Sequence, residues 1–402
     1  MTATRDDLGS MVDEVVGDVV AIRHDLHAHP ELMYQERRTS GRVCEVLDRL
    51  GIECRSGLAG GTGVLAHLPA TTGSEVCVGL RADMDALPIF EQTGLAYAST
   101  HEGVMHACGH DGHTAMLLGA AMVLARLEER PFGVTFVFQP AEEGGAGGER
   151  MCEDGCLDGS VLGGSVRWMY GLHGWPVMAL GEVGTRAGAL LASTDDFEVV
   201  VRGVQAHAAM PHVGVDPIVA SSAIVTGLQT IGSRSVDPLD SVVCTVGRFH
   251  AGSANNVIPS EARLTGTVRT LRETTRALAE ERFRALVERI ASAHGCEASV
   301  DWKVGYPVTS NDARLVDHWR ALAVERVGEA RVVDVPQPFM GGEDFAFYGE
   351  RVPSCFFLLG LCPEGETDPA LLHTPGFDFN DEAIPLGVEM FVRLALCPSD
   401  GA

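Results

Sequence analysis

The stretch from Met105 to His113 places a thiol, three imidazoles and a carboxylate within nine residues. These are the side chains that bind zinc and similar divalent ions. Cys108 and His110 are two positions apart, so they reach one ion together only from a loop or an extended segment, and Gly109 between them allows a tight turn. Taken alone, the stretch also fits a histidine-rich surface loop with a buried cysteine. It predicts a metal site only if other segments supply further ligands.

Glu142 and Glu143 stand side by side after a short apolar run, and a glycine-rich run, 144–148, follows them. Adjacent carboxylates repel each other, so the pair is comfortable in water or near a cation. Beside a metal, one carboxylate can bind the ion while the other stays free as a general base. The alternative is a solvated acidic turn. The glycine-rich run lacks the Gly-Lys-Ser/Thr ending of a phosphate-binding loop, so we do not interpret it as one.

Two further histidines, His173 and His373, lie at the end of or within apolar sequence. A single histidine in such a place is more often a hydrogen-bonded core residue than a ligand. Five residues together, however, make a set of sulfur, nitrogen and oxygen donors: Cys108, His110, Glu143, His173 and His373. Such a set suits two ions about 3.5–4 Å apart that share a water or hydroxide, as in metal-assisted hydrolysis. Asp85 is a candidate to orient a metal-binding imidazole through a hydrogen bond.

The composition is that of a globular chain long enough for two domains. The chain has 402 residues, 46% of them hydrophobic and 21% charged, and no apolar run reaches the ~18 residues that a membrane span needs. The polar N-terminus lacks the features of a secretory signal, and eleven scattered cysteines favour reduced thiols. We therefore expect a soluble, cytoplasmic protein. A formal charge of −25 argues against nucleic acid and anionic membranes as partners and favours a small-molecule substrate.

Predicted strands and helices must position these residues. Three short apolar runs are each followed at once by polar residues that can do chemistry: 76–81, 134–138 and 168–172. Sites in open α/β sheets lie just beyond the carboxyl ends of such strands. Helical patterns at 5–27 and 114–129, a buried strand at 354–360 and a closing helix at 385–395 complete the pattern. We predict an α/β fold with a mixed sheet and flanking helices.

The segment 190–303 has a different pattern. It predicts alternating strands and helices in the order β-α-β-β-α-β: 197–202, 217–231, 242–248, 262–268, 273–294 and 299–302. This order suggests a ferredoxin-like α+β domain inserted into the larger one as a lid. The catalytic domain that bears the metals is then discontinuous, 1–189 and 304–402.

Nine motifs follow one another along the chain: Arg81–Pro88, Met105–Asp111, Pro140–Gly144, Gly171–His173, Ala206–His212, Asn255–Pro259, Gly266–Thr270, Gly342–Phe345 and His373–Pro375. In order and spacing they resemble the amidohydrolase branch of the aminoacylase and carboxypeptidase family of dimetal metallopeptidases. This branch contains hippurate hydrolases, bacterial N-acyl-amino-acid amidohydrolases and plant auxin-conjugate hydrolases. The resemblance extends from Arg23–His27 to near the C-terminus.

The resemblance implies two divalent metal ions per subunit and an inserted lid that often forms the dimer surface. We therefore expect a homodimer or a higher homo-oligomer formed through the lid. In the family, the positions that match the five donors named above bind the metals, and the position of Glu142 is the general base. Zinc is favoured, with manganese or cobalt as alternatives. Related peptidases often bridge the metals with a carboxylate where this chain has Cys108, so the sequence leaves open whether Cys108 bridges them.

The implied reaction is hydrolysis of the amide bond of an N-acyl-amino acid to a carboxylic acid and a free amino acid. Glu142 takes a proton from the attacking water and passes it to the leaving amine. The resemblance points to His207, in the lid, as the group that meets the developing oxyanion. Asn256, Arg269 and the Gly341-Gly342 turn are candidates to hold the carboxylate of the substrate. The alternatives are a polar lid loop for His207 and Asn256 and a half-exposed strand position for Arg269.

Three other functions stay open. A dipeptidase or a biosynthetic deacylase would use the same scaffold and differ in the acyl group. A catalytically silent metal- or ligand-binding protein would keep the fold, although Glu142 beside a complete ligand set argues against it. A redox enzyme using Cys152 and Cys156 is the weakest alternative, since Cys-x-x-x-Cys lacks the usual thioredoxin spacing.

Overall fold

The computed structural model describes residues 5–397, so the first four residues of the polar N-terminus and the last five residues of the chain lie outside it. Contacts between residues divide the chain into two units. The first unit comprises the residues through Leu190, Ser310–Pro336 and the residues from Asp344 onward. The second unit comprises Leu191–Thr309 and Gln337–Glu343.

Helices and strands follow the chain in this order. The first part holds α1 (Arg5–Ala28), α2 (Arg37–Arg49), β1 (Glu53–Leu58), β2 (Gly63–Leu68), β3 (Cys77–Asp83), α3 (His110–Arg126), β4 (Gly133–Gln139), α4 (Gly147–Glu153), β5 (Val166–Ala179), β6 (Val183–Thr185) and β7 (Gly188–Leu191). The middle part holds β8 (Ser193–Arg202), β9 (Ala206–His207), α5 (Pro217–Leu228), β10 (Val242–Ala251), β11 (Val257–Ile258), β12 (Glu261–Thr270), α6 (Glu273–Ala293) and β13 (Glu297–Val304). The last part holds β14 (Thr309–Asn311), α7 (Ala313–Val327), β15 (Val332–Asp334), α8 (Ala346–Gly349), β16 (Ser354–Cys362) and α9 (Ile384–Leu396).

The first unit is built on an eight-stranded mixed sheet in the order β1-β2-β4-β3-β5-β16-β6-β15. The central strands β4, β3, β5 and β16 run parallel, whereas β2 and β6 join them antiparallel. The register pairs Asp83 with Gln139 and Arg81 with Gly171. The polar residues that end β3 and β4 therefore come level with His173 on β5, at one edge of the sheet. This mixed sheet with flanking helices confirms the predicted α/β fold.

The helices α1, α3 and α9 pack together beside this sheet. A Cβ atom at Gly119 of α3 would lie 2.8 Å from methyl carbons of Val19 on α1 and Val388 on α9. Glycine at this position therefore allows α3 to approach both neighbouring helices closely. Close packing fixes the start of α3, where His110 lies, against the rest of the first unit.

The second unit contains a four-stranded antiparallel sheet in the order β10-β12-β8-β13, which α5 and α6 accompany. Along the chain, the strands and helices of this sheet follow the order β-α-β-β-α-β, which is the order of elements in a ferredoxin-like fold. Its core includes Phe197, whose ring centroid lies 4.5 Å from that of Phe283. A smaller pair of strands, β9 and β11, belongs to the same unit.

The segment Gln337–Glu343 also belongs to the second unit. The backbone N–H of Ala192 donates to the carbonyl of Gly341 at 2.9 Å, and the hydroxyl of Thr309 donates to the carbonyl of Glu343 at 3.0 Å. These hydrogen bonds join the segment that holds the Gly341-Gly342 turn to Ala192 and Thr309 of the second unit, whereas the sequence pattern had put this segment with the rest of 304–402.

Several element boundaries differ from the predicted ones. The helix predicted from residue 114 begins at His110, because the left-handed turn at Gly109 (φ 83°) lets the helix start there. The strand predicted at 168–172 continues to Ala179, so His173 lies within β5 and not after it. The sequence patterns did not predict α2, β1, β2 or α7. Within residues 5–397, no helix combines the length and the apolar character that crossing a membrane requires.

Candidate metal centre

Cys108 and His110 lie on either side of the turn that starts α3. Gly109 adopts a left-handed conformation, and a Cβ atom there would lie 2.9 Å from the ring of Phe379. Both flanking side chains are buried. Together with His173, they place one sulfur and two nitrogen atoms within 4.8 Å of one another.

The imidazole of His110 is oriented by Asp85. Its Nδ1 lies 3.2 Å from Oδ1 of Asp85, an acceptor only, so Nδ1 carries a proton and Nε2 is the nitrogen left to bind an ion. That Nε2 is buried and has no hydrogen-bond partner in the described part of the chain. A buried ring nitrogen without a hydrogen-bond partner fits a metal ligand.

His173 and His373 approach the thiol of Cys108 from two sides. The Nε2 atom of His173 lies 3.4 Å from Sγ of Cys108, and Nε2 of His373 lies 3.3 Å from it. Nδ1 of His173 donates to the carbonyl of Gly174 at 2.8 Å, which leaves Nε2 as the lone-pair nitrogen. His373, at φ 61°, is a non-glycine residue in the left-handed region, and its N–H donates to the carbonyl of Ala107 at 2.8 Å.

The two glutamates lie in a turn directly after β4. Asp85 accepts from the backbone N–H groups of Glu142 and Glu143, at 3.0 and 2.9 Å. The side chain of Glu143 reaches Nε2 of His373, at 3.0 Å from its Oε1. Glu142 is also buried, and one of its carboxylate oxygens lies within 4.8 Å of possible ligand atoms of His110 and Glu143. The side chains of this acidic pair thus point into the same cluster as the thiol.

Three overlapping donor groups result: Cys108 with His110 and His173, Cys108 with Glu143 and His373, and His110 with Glu142 and Glu143. The structure therefore brings together all five residues that the sequence offered as ligands. Cys108 is common to the first two groups. A thiolate, three imidazoles and a carboxylate are donors that suit two divalent ions of the zinc type.

The charges of the cluster also favour cations. Burial raises the pKa of the Cys108 thiol well above its usual range, and the carboxylates of Glu143 and Glu142 raise it further. Burial alone would lower the pKa of His110, but Asp83 and Asp85 outweigh it and raise the pKa to about 10. Without a cation, the cluster thus resists a further negative charge. A bound divalent ion would reverse this effect by stabilising the thiolate.

Arg81 lies beside the donor cluster, although the sequence patterns predict no role for it. Its guanidinium donates to Asp83 at 2.7 Å, to Asp344 at 2.8 Å and to Gln139 at 2.9 Å, and its side chain is fully buried. The backbone N–H of Asp344 in turn donates to Oε1 of Glu142 at 3.4 Å. Arg81 thus connects the end of β3 to the segment that contacts Glu142. Its place in the motif Arg81–Pro88 was the available signal.

The sequence patterns also predict no role for His113, which lies one turn after His110. Its Nδ1 lies 2.7 Å from Oδ1 of Asp83, and its Nε2 accepts from the N–H of Gly174 at 2.8 Å. Asp83 lies 3.7 Å from His110, and Gly174 directly follows His173. His113 therefore fixes the backbone next to His173, and it also fixes the carboxylate of Asp83, which lies next to His110.

The other predicted site residues belong to the second unit. His207 is exposed on β9, which pairs with β11, and the N–H of Ala208 donates to the carbonyl of Asn256 at 3.0 Å. Arg269 lies on β12, and its Nη1 would be 3.5 Å from a Cβ atom at Gly342. The structure thus brings His207 near Asn256 and Arg269 near the Gly341-Gly342 turn.

Comparisons with known proteins agree with this geometry. The model of peptidase family M20/M25/M40 matches residues 79–396. An N-acetyl-L-cysteine deacetylase from Bacillus subtilis is 42% identical over 367 residues, which cover 91% of this chain and 84% of that protein. The IAA-amino acid hydrolase ILR1-like 4 from Arabidopsis thaliana is 38% identical over 382 residues, which cover 94% of this chain and 84% of that protein.

A crystal structure described as a dinuclear metal binding peptidase of the M20 family, from Bacillus subtilis, is 35% identical with a TM-score of 0.83. The match covers 97% of this chain and 99% of that one. The resemblance drawn from the motifs is therefore confirmed, and the chain belongs to peptidase family M20/M25/M40.

Proposed function

We propose that this member of the M20/M25/M40 family hydrolyses the amide bond of N-acyl-amino acids and releases a carboxylic acid and a free amino acid. The relatives support this substrate class, since one is named for N-acetyl-L-cysteine and another for IAA-amino acids. The observation that carries the proposal is the position of Glu142. It stands beside the five-donor cluster, next to Glu143 in the same turn, without being needed as one of the five donors.

The residues that would hold two divalent ions are Cys108, His110, Glu143, His173 and His373. The mixture of sulfur, imidazole and carboxylate donors favours zinc, with manganese or cobalt as alternatives. When bound, the ions supply Lewis acidity, which lowers the pKa of a water molecule and polarises the acyl carbonyl.

Glu142 is the proton carrier in this proposal. Its carboxylate accepts a proton from the attacking water and then delivers that proton to the nitrogen of the leaving amino acid. Asp85 supports both tasks, because it holds the backbone of Glu142 and orients the imidazole of His110. Burial of Glu142 keeps bulk water from competing for the proton.

The second unit supplies substrate recognition. We assign to His207 the stabilisation of the oxyanion, and its tautomer suits this role. Nδ1 of His207 accepts from the N–H of Ala209 at 3.0 Å, so Nε2 carries the proton of the neutral ring and can donate it to an oxyanion.

Asn256, Arg269 and the Gly341-Gly342 turn are the proposed carboxylate-binding groups. A chain with a formal charge of −25 needs a local cation to hold an anionic substrate, and Arg269 provides one next to a turn without side chains. The amino-acid product carries this carboxylate, so the groups distinguish N-acyl-amino acids from simple amides. We further propose a homodimer or a higher homo-oligomer formed through the second unit.

A substrate panel tests the proposal. The protein, loaded with zinc or manganese, is incubated with N-acetyl, N-benzoyl, long-chain N-acyl and indole-acetyl amino acids and with dipeptides, and free amino acid is measured. We expect release from at least one N-acyl class, and none from the Glu142→Gln variant. Cleavage of dipeptides alone would identify a dipeptidase instead. A protein that binds two ions and hydrolyses nothing in the panel would be a metal-binding protein without this activity.

A further inference from the structure

Three consecutive backbone N–H groups in the turn after β4 donate to carboxylates. Ala141 donates to Oε1 of Glu36 at 2.9 Å, and the next two N–H groups donate to Asp85. Asp85 was anticipated from the sequence as an orienting group. Glu36 was not anticipated, because it lies before α2, 105 positions before Ala141 in the chain.

Glu36 is fully buried, and each of its carboxylate oxygens has a defined partner. Oε2 accepts from the hydroxyl of Thr62 at 2.8 Å, while Oε1 faces Ala141. The same segment contacts the far end of the turn, where the hydroxyl of Tyr34 donates to the carbonyl of Gly145. The guanidinium of Arg150 lies 4.3 Å from the ring of Tyr34 and covers it.

The turn needs such support because its backbone is strained. Ala141 has φ 55° and Ala146 has φ 54°, and both are non-glycine residues in the left-handed region. Such conformations persist only where the surrounding structure holds them, and they cluster at functional sites. Glu142 directly follows the first of these two residues, so the direction of its side chain depends on the conformation that Glu36 holds.

We propose that Glu36 is a positioning residue for Glu142, because its carboxylate holds the N–H of Ala141 and thereby fixes the strained turn that aims Glu142 at the substrate. This inference rests on the proposed role of Glu142 as general base. Glu36 touches neither the donor cluster nor the reacting atoms; it acts through the backbone of Ala141.

Burial raises the pKa of Glu36 to about 7, against the hydrogen bonds from Thr62 and Ala141, and Asp85 is the charged group that raises it further. Above neutral pH, the ionised form of Glu36 therefore predominates. This carboxylate is a stronger hydrogen-bond acceptor than the protonated acid. Kinetic tests belong at about pH 8, where the charged form prevails.

The first test compares Glu36→Gln with Glu45→Gln, the same change at an exposed glutamate on α2 that pairs with Arg42 and Arg49. We expect Glu36→Gln to lower kcat at least ~10-fold, with KM within about twofold of the parent and two ions still bound. Glu45→Gln should match the parent. An unchanged kcat, or a loss of activity that follows a loss of metal, would overturn the proposal.

A double variant separates positioning from a general structural effect. If Glu36 acts through Glu142, then adding Glu36→Gln to Glu142→Gln lowers kcat by less than about a further twofold. A full additional loss in the double variant would show that Glu36 acts elsewhere. If Glu36→Gln does not fold, Glu36→Asp retains the charge but withdraws it from Ala141, and it should show the same loss in kcat.

Hydrogen exchange gives a reading that does not depend on activity. Amides in a peptide spanning 140–146 should exchange at least ~5-fold faster in Glu36→Gln than in the parent, while peptides from the second unit stay unchanged. If no N-acyl-amino acid is hydrolysed by the parent, the proposed function fails, yet this experiment still decides whether Glu36 holds the turn. Unchanged exchange at 140–146 would overturn the proposal.

Discussion

The Nε2 atom of His373 lies 3.3 Å from Sγ of Cys108, although the two residues are 265 positions apart in the chain. The Nε2 atom of His173 reaches the same sulfur at 3.4 Å. The fold therefore places one thiol between two imidazoles, each presenting a ring nitrogen to it. Cys108 belongs to two of the three donor groups of the centre, as His110 and Glu143 also do.

Replacing this thiol tests its place in the centre. We expect Cys108→Ser to lower the bound metal from two ions per chain and to weaken the remaining affinity about 10–100-fold, because a hydroxyl is a far poorer ligand than a thiolate. Elemental analysis of the dialysed protein measures this. Cys362→Ser, a half-buried cysteine outside the donor groups, serves as the control. Two tightly bound ions in Cys108→Ser would make the thiol a bystander.

Glu142→Gln tests the general base. The amide keeps the shape of the side chain but cannot accept the proton, so we expect kcat to fall at least ~10²-fold. Metal content should stay near that of the parent, since the five proposed donors are unchanged. Steady-state kinetics with elemental analysis on the same sample provide both values. A near-normal kcat would remove Glu142 from the mechanism.

Arg81→Met tests the buried ion-pair network. The substitution removes the guanidinium that pairs with the fully buried carboxylates of Asp83 and Asp344, so we expect the free energy of unfolding to fall by about 3–5 kcal/mol. Urea denaturation of the metal-free protein measures it. Arg55→Met, at an exposed pair with Glu53, should change it by less than about 1 kcal/mol. If both variants unfold alike, Arg81 contributes little to stability.

A mixing experiment tests whether His207 completes the active site of a partner subunit. His207→Ala and Glu142→Gln are each expected to be inactive. If His207 acts across a dimer, a mixed dimer has one site with neither defect, and each mixed dimer has about half the activity of a parent dimer. Subunit exchange is verified by mass. If exchanged mixtures stay inactive, His207 serves its own chain.

Residue type, and for several the position after an apolar run, predicted the five candidate donors and Glu142, and the structure brings these residues together. Such residues come level where parallel strands end, as Asp83 and Gln139 do on neighbouring strands. Residue type and strand order were enough to predict that these side chains meet where the parallel strands end.

Partners that are distant in the chain were not predictable in the same way. Arg81 and Asp344 are 263 positions apart, and Glu36 and Ala141 are 105 apart. Each residue lies in an ordinary local pattern, and only the folded chain shows which carboxylate meets which donor. The same reason explains Gln337–Glu343, which belongs to the second unit through contacts with residues distant in the chain, such as that of Gly341 with Ala192.

Elements with weak apolar periodicity were also missed. The edge strand β1 has the sequence Glu-Cys-Arg-Ser-Gly-Leu and is exposed over most of its length. Because it pairs only with β2, it needs no alternating apolar face to be stable.

The most direct measurement is the hydrolysis of an N-acyl-amino acid while the metal-free protein is titrated with zinc or manganese. We expect no activity above that of Glu142→Gln in the metal-free protein, a rise with added ion, and a plateau at about two ions per chain, because the five donors fit two ions. A chelator should reverse the rise. Full activity in the metal-free protein, or no hydrolysis at two bound ions per chain, would contradict a dimetal amidohydrolase.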